Sequence, residues 1–364
     1  MTVAAIGHFE FWYQARRPAT WISFLALFVC TFVAAGEPVQ EYARADGSFV
    51  NGPFIVAVLT LFGTTLGLLV TAGVAADAAS RDTQTRMDSL VFTTPVSRGS
   101  YVSGRFLAAF ALSALLLSAV PLALLSMAAL TRGPADLVAP FQLATYLVPY
   151  LTWQLPNLFV TTAVMFSFAA LTRRGMTSYL GALLLLGICG LSWGLIARAS
   201  NSWTIGAFVD PFGAVVLDEW SMRWTPAERS TRLVPLAGVL LWNRLFWIAV
   251  GIGALVLAHA RCRVSRQPVG GVRTLAADPH PLPAQRSAVA LHVPRLAPRF
   301  DVHTHTRQLL AVAGESFAVV MKGWGGAALL ITAVFSCTAV CRWRILACRS
   351  LRRPNASSRF SPRR

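Results

Sequence analysis

The residues best suited to chemistry lie between Asp77 and Arg105, where Arg81, Arg86, Arg98 and Arg105 are interspersed with Asp77, Asp82 and Asp88. Charges mixed in this way suit either ion pairing with the surface of a partner protein or headgroup binding and orientation alone. Within that stretch Met87, Leu90 and Val91 fall at i, i+3, i+4, the spacing of a short amphipathic helix, and Thr94-Pro95 ends it. A second constellation is Gln154, Asn157 and Thr161, at i, i+3, i+7 on one face of an apolar run. Such a face either lines a polar path or hydrogen-bonds a neighbouring helix.

Patterns for covalent or metal chemistry fail on context. Gly190-Leu191-Ser192-Trp193-Gly194 spells G-x-S-x-G, but a nucleophile elbow needs a strand-turn-helix, and here the motif sits inside a continuous apolar run. Its glycines read better as a helix-packing face. His303 and His305 beside Asp301 have an incidental spacing in a Pro- and Arg-rich segment, and Cys337 and Cys341 lack a second ligand pair. Lys322 is followed by Gly323, so there is no Walker A motif, and no histidine is followed by glutamate. The expectation is a chain with no metal, cofactor or catalytic activity of its own.

The elements that position these residues are membrane spans. The chain is 55% hydrophobic and only 13% charged, about half the charge of an ordinary soluble domain. The net charge of +17 is almost all arginine, and the arginines flank apolar runs. That is the distribution that orients membrane helices, and nucleic acid is not an expected partner. Residues 8–17 are aromatic and then basic, either an interfacial helix or a positive anchor. Apolar runs predict spans near 20–36, 53–76, 106–130, 141–171, 176–197 and 236–260, with a seventh near 323–341.

Residues 261–322 read as a polar basic linker, and 342–364 as a basic tail or an out-of-frame one. Gly63 and Gly67 make a GxxxG pattern that permits close helix packing. Pro121 interrupts the third predicted span and is tolerable where a neighbour satisfies the carbonyl it frees. Arg244, near the start of the sixth, is expected to snorkel to the interface. The basic short loops place the N-terminus and 77–105 in the cytoplasm. The expected fold is an all-α polytopic bundle of six or seven spans with an N-terminal interfacial helix.

Three stretches carry a family resemblance. They are Arg81-Asp82 through Arg86, Asp88, Thr94-Pro95 and Arg98 to Arg105; Asp210-Pro211-Phe212-Gly213 followed by Trp224-Thr225-Pro226-Ala227-Glu228-Arg229; and Leu236 to Trp247 with Asn243-Arg244. In these the chain resembles the ABC-2 type permeases, in particular the membrane part of bacterial members fused to a zinc aminopeptidase-like domain. The resemblance covers about residues 8–335, and without the further helices and the peptidase-like domain the chain reads as a shortened form. It implies that 8–17 is an elbow helix and that 77–105 meets a separate ABC ATPase subunit, which would bind the ATP. Arg81, Asp82, Arg86, Asp88, Arg98 and Arg105 would make that contact, with the bilayer and a second copy or another permease half as further partners. The alternative expectation is a non-transporting membrane anchor or scaffold for a peptidase-like or other partner.

Overall fold

The computed structural model describes residues 2–85, 87, 96–130, 138–261, 306, 307 and 311. The expected seventh span, basic tail and nearly all of the linker, together with most of the predicted 87–91 helix, lie outside the described residues. Among the described residues the chain is all-α, with no strand.

Helix α1 (Val3–Ala15) starts at Thr2, whose hydroxyl accepts from the Ala5 N–H. Proline in the first turn opens α2 (Pro18–Ala34), α3 (Glu37–Asp46) and α4 (Pro53–Gln84), where its missing N–H costs nothing. Ser97 caps α5 (Arg98–Leu117) by accepting from the Ser100 N–H at 3.1 Å. Next come α6 (Ala119–Leu130) and α7 (Leu143–Pro149), then a π-helical segment Tyr150–Gln154 that leads into α8 (Leu155–Thr172). A second π-helical segment, Ser192–Ala199, extends α9 (Thr177–Leu191). Short helices α10 (Trp203–Val209), α11 (Ala214–Arg223) and α12 (Pro226–Thr231) precede α13 (Val239–Arg261). A capping box of Thr225 and Glu228 starts α12, and the Thr225 N–H and hydroxyl donating to Glu228 hold its carboxyl below the usual range.

Among the described residues six helical stretches are long and apolar enough to cross a membrane: 18–46, 53–84, 98–130, 143–172, 177–199 and 239–261. The chain is a multi-pass membrane protein. Two of these helices run further than the apolar runs suggest. α4 continues through Asp77, Arg81 and Asp82 to Gln84, and α5 begins at Arg98, so both ends of the 77–105 connection are helix. The Asp77–Arg81 pair at i, i+4 supports that continuation.

Proline chemistry explains the breaks. Pro121 has no N–H to offer the Leu117 carbonyl, and the helix divides at Ser118 between α5 and α6. The freed carbonyl is satisfied from outside, by Gln154 Nε2 at 3.2 Å. Between Pro149 and Pro156 the Leu155 N–H reaches back to the Tyr150 carbonyl, a π register that turns Trp153 and Gln154 into the core.

The GxxxG pair packs as its spacing suggests: Cβ atoms on Gly63 and Gly67 would run into Val120 and Leu117 at the α5–α6 break. Gly190 and Gly194 differ, because among the described residues nothing lies within 4 Å of where a Cβ on either would stand. Ser192 is buried and donates to the Ile188 carbonyl of its own helix at 2.7 Å, the opposite of an exposed nucleophile.

One set of helix ends gathers around α1. Gly7 of α1 sits against Gly104 of α5, the turn at Gly175 touches Ser80 and Gln84 of α4, and Gly99 lies beside His259 of α13. At the opposite end Asn51 and Ala139 exchange two hydrogen bonds, of 2.8 and 2.7 Å, while the Phe49 N–H donates to Ser230 at 3.1 Å.

Candidate functional site

Two polar nodes, one at the α1 end and one deep in the bundle, contain most of the described residues singled out from sequence. The first joins α1, α4 and α5. Glu10, 1% exposed, receives both arms of the Arg81 guanidinium, Nη1 at 2.9 Å from Oε1 and Nη2 on Oε2. This fork geometry is the strongest form of ion pair. Gln14 donates to the same carboxylate at 2.8 Å, and Arg105 stands 3.8 Å away. Asp82 accepts from the Tyr101 hydroxyl at 2.8 Å and from Arg105, whose other arm donates to the Ala78 carbonyl at 2.8 Å. Asp77 bridges Arg81 at 3.1 Å and Arg17 at 3.2 Å. Tyr13 lies under both cations, its ring 4.0 Å from Arg81 and 4.6 Å from Arg17. Three acids thus balance three arginines, and α1 is clamped to the ends of α4 and α5.

Of the six charged residues expected at a partner surface, Arg81, Asp82 and Arg105 lie in this intramolecular clamp. Arg98 opens α5 and is exposed, and Arg86 and Asp88 lie outside the described residues. Glu10, the residue on which the clamp converges, is not among the sequence candidates. Its signal is slight: a lone acid in an aromatic segment, with Gln14 one turn on.

The second node is built where the turn 210–213 meets α8 and α13. The Phe212 carbonyl accepts from Trp153 Nε1 at 2.7 Å, Asn157 Nδ2 at 3.1 Å and Arg244 Nη2 at 3.0 Å. Arg244 also donates to the Pro211 carbonyl at 3.3 Å and to Asn157 Oδ1, and its guanidinium lies 5.1 Å from the Trp153 ring. Asn243 Nδ2 reaches the carbonyls of Ala207, Phe208 and Asp210 at 3.0, 2.8 and 2.8 Å. Asp210 holds the turn by accepting from the N–H groups of Phe212 and Val215, both at 2.9 Å. Burial pushes its carboxyl up from the usual range, and those two donors pull the other way. Gly213 closes the turn at φ +77, and a Cβ there would stand 2.9 Å from the Trp153 ring.

Arg244 is therefore buried in the bundle at 4% exposure rather than snorkelling. Carbonyl dipoles and one amide oxygen replace its water shell. Gln154 serves the Leu117 carbonyl, Asn157 the Phe212 carbonyl, and Thr161 the Leu158 carbonyl of its own helix at 3.0 Å. All three are buried. Two of the three stretches that carry the family resemblance, Asp210–Gly213 and Asn243-Arg244, meet here. In the remainder of the second, Arg229 pairs with Asp46 at 2.8 Å and ties α12 to α3.

Among the described residues no group of three or more His, Cys, Asp or Glu side chains could hold a metal ion. No protein-family model matches the chain, and no curated protein matches it.

Proposed function

We propose that this chain is the membrane-spanning permease subunit of an ABC-type exporter, coupled to a separate ATP-hydrolysing subunit through the 77–105 region on the cytoplasmic side. The observation that carries this reading is the clamp of Glu10, Arg81, Asp82 and Arg105. It makes α1 and the ends of α4 and α5 one mechanical unit, so a push on the start of α5 moves two spans and the N-terminal helix together. Packed elements of this kind shift as rigid bodies rather than deform. A partner that closes on ATP would act on Arg98, the exposed cation at that start.

The charge distribution supports the orientation. Arg16, Arg17, Arg81, Arg98, Arg105, Arg173, Arg174 and Arg261 lie at the α1 end, against the acids Glu10, Asp77 and Asp82. The opposite end carries fewer arginines than acids among the described residues, with Arg44, Arg198, Arg223, Arg229 and Arg232 facing six carboxylates, Glu37, Glu41, Asp46, Asp218, Glu219 and Glu228. The arginine-rich end belongs in the cytoplasm. The second node would hold the connection 200–238 against α8 and α13 while the cytoplasmic ends move.

The test is affinity capture of the full-length protein in mild detergent. The wild type is expected to bring down an ATPase carrying a Walker A motif. Arg98→Glu is expected to lower its recovery about tenfold, the effect of one like-charge contact at an interface. Capture of the intact chain with no such ATPase overturns the proposal and favours a membrane anchor.

A further inference from the structure

α1 is built inside out. Its face toward α4 and α5 buries Glu10 and Gln14, at 1% and 4% exposure, whereas its outward face presents Phe9 at 66% and Trp12 at 48%. Apolar groups turned outward beside buried charge fit a helix whose surroundings are apolar. The outward pattern continues without interruption onto α2, where Trp21, Ile22, Leu25, Val29 and Val33 are exposed.

The junction between the two helices is cationic. His8, Trp12 and Arg16 follow one another at i, i+4, i+8 along the exposed stripe, so Arg16 stands at its end. The carbonyls that close α1 are already served, Gln14 by the Thr20 hydroxyl at 2.7 Å and Ala15 by Trp21 Nε1 at 3.0 Å. Arg16 is thus not needed as a helix cap. Its neighbour Arg17 is engaged by Tyr13 and Asp77, and no carboxylate among the described residues pairs with Arg16. An exposed guanidinium one helical turn beyond Trp12, next in the chain to Ala15 whose carbonyl the Trp21 indole reaches, stands at the top of a lipid-facing helix and matches a phosphate above acyl chains.

We infer that the α1–α2 junction is a binding site for an anionic phospholipid, its headgroup phosphate on Arg16 between Trp12 and Trp21 and its acyl chains along the outward face of α2. The site anchors the clamped α1 in the headgroup layer, and it holds whether or not the chain transports anything. An anionic lipid rather than a zwitterionic one is selected by charge, since the arginine has no acid of its own to neutralise it.

Native mass spectrometry of the purified full-length protein tests this with phosphatidylglycerol and phosphatidylcholine of identical chains. The wild type is expected to retain the anionic lipid preferentially. Arg16→Gln should reduce that preference about fivefold, the contribution of one arginine at an anionic surface. Arg16→Lys should keep most of it, and Arg44→Gln, an exposed arginine on α3 at the other end of the bundle, should leave it unchanged. Tryptophan emission reports that each variant is folded. Equal retention of the two lipids by the wild type, or a preference that survives Arg16→Gln, overturns the assignment.

Discussion

Replacing Arg81 with leucine is expected to destabilise the bundle by about 3–5 kcal/mol, the cost of leaving a buried charge without its partner. Glu10 is almost fully enclosed and depends on the two arms of Arg81. After the change it keeps only the Gln14 amide and a guanidinium 3.8 Å away on Arg105. A buried carboxylate left so poorly paired weakens the hold of α1 on the bundle. Adding Glu10→Leu removes the orphaned charge, and the double variant should regain most of the loss, because an ion pair replaced by apolar groups costs far less than one broken. SDS-induced unfolding of the detergent-purified protein measures both. A loss below about 1 kcal/mol for Arg81→Leu would put the pair in the class of surface salt bridges and dissolve the clamp.

The other large effect is expected at Arg244. Truncation to alanine removes donors from the Pro211 carbonyl and from Asn157 Oδ1, and opens a cavity beside Trp153. Lost hydrogen bonds and the void together should cost about 3–5 kcal/mol. The Phe212 carbonyl keeps the indole of Trp153 and the amide of Asn157, so the turn loosens without losing every tie. Arg244→Met refills most of the volume but supplies no donor, and should recover about half of the loss. The same unfolding assay decides. A negligible cost for Arg244→Ala would mean that the guanidinium reaches water, as a snorkelling side chain does.

Much of the fold was legible because apolar runs of spanning length admit few other structures. Each of the six predicted spans up to residue 260 overlaps one of the membrane-length helices. The boundaries were less legible. Hydropathy ends a span where charge begins, yet α4 runs on through Asp77, Arg81 and Asp82, since each of those charges finds a partner on α1, α4 or α5. Pro121 shows a local rule working fully: it names the carbonyl it frees, and the structure supplies Gln154 to fill it.

The nodes themselves were not legible, because they join positions far apart in the chain. Glu10 and Arg81 are brought together by the packing of α1 on the bundle, which no periodicity encodes. Arg244 read as a snorkelling residue because its sequence neighbours are apolar. The groups that receive it belong to Pro211, Phe212 and Asn157, on other elements. The spacing of Gln154, Asn157 and Thr161 marks three polar groups in an apolar run, but only tertiary structure shows which carbonyl each one serves.

The orientation of the bundle underlies the whole functional proposal, and accessible cysteines measure it most directly. In chains whose native cysteines have been replaced, a single cysteine is placed at Arg98, at the α1 end, or at Arg223, at the opposite end; both positions are exposed. Intact cells are then treated with a membrane-impermeant maleimide. Arg223→Cys should be labelled at once and Arg98→Cys only after the membrane is permeabilised, which puts the clamp on the side where ATP is hydrolysed. Labelling of Arg98→Cys in intact cells with protection of Arg223→Cys would contradict it, and the coupling role of the 77–105 region would fall with it.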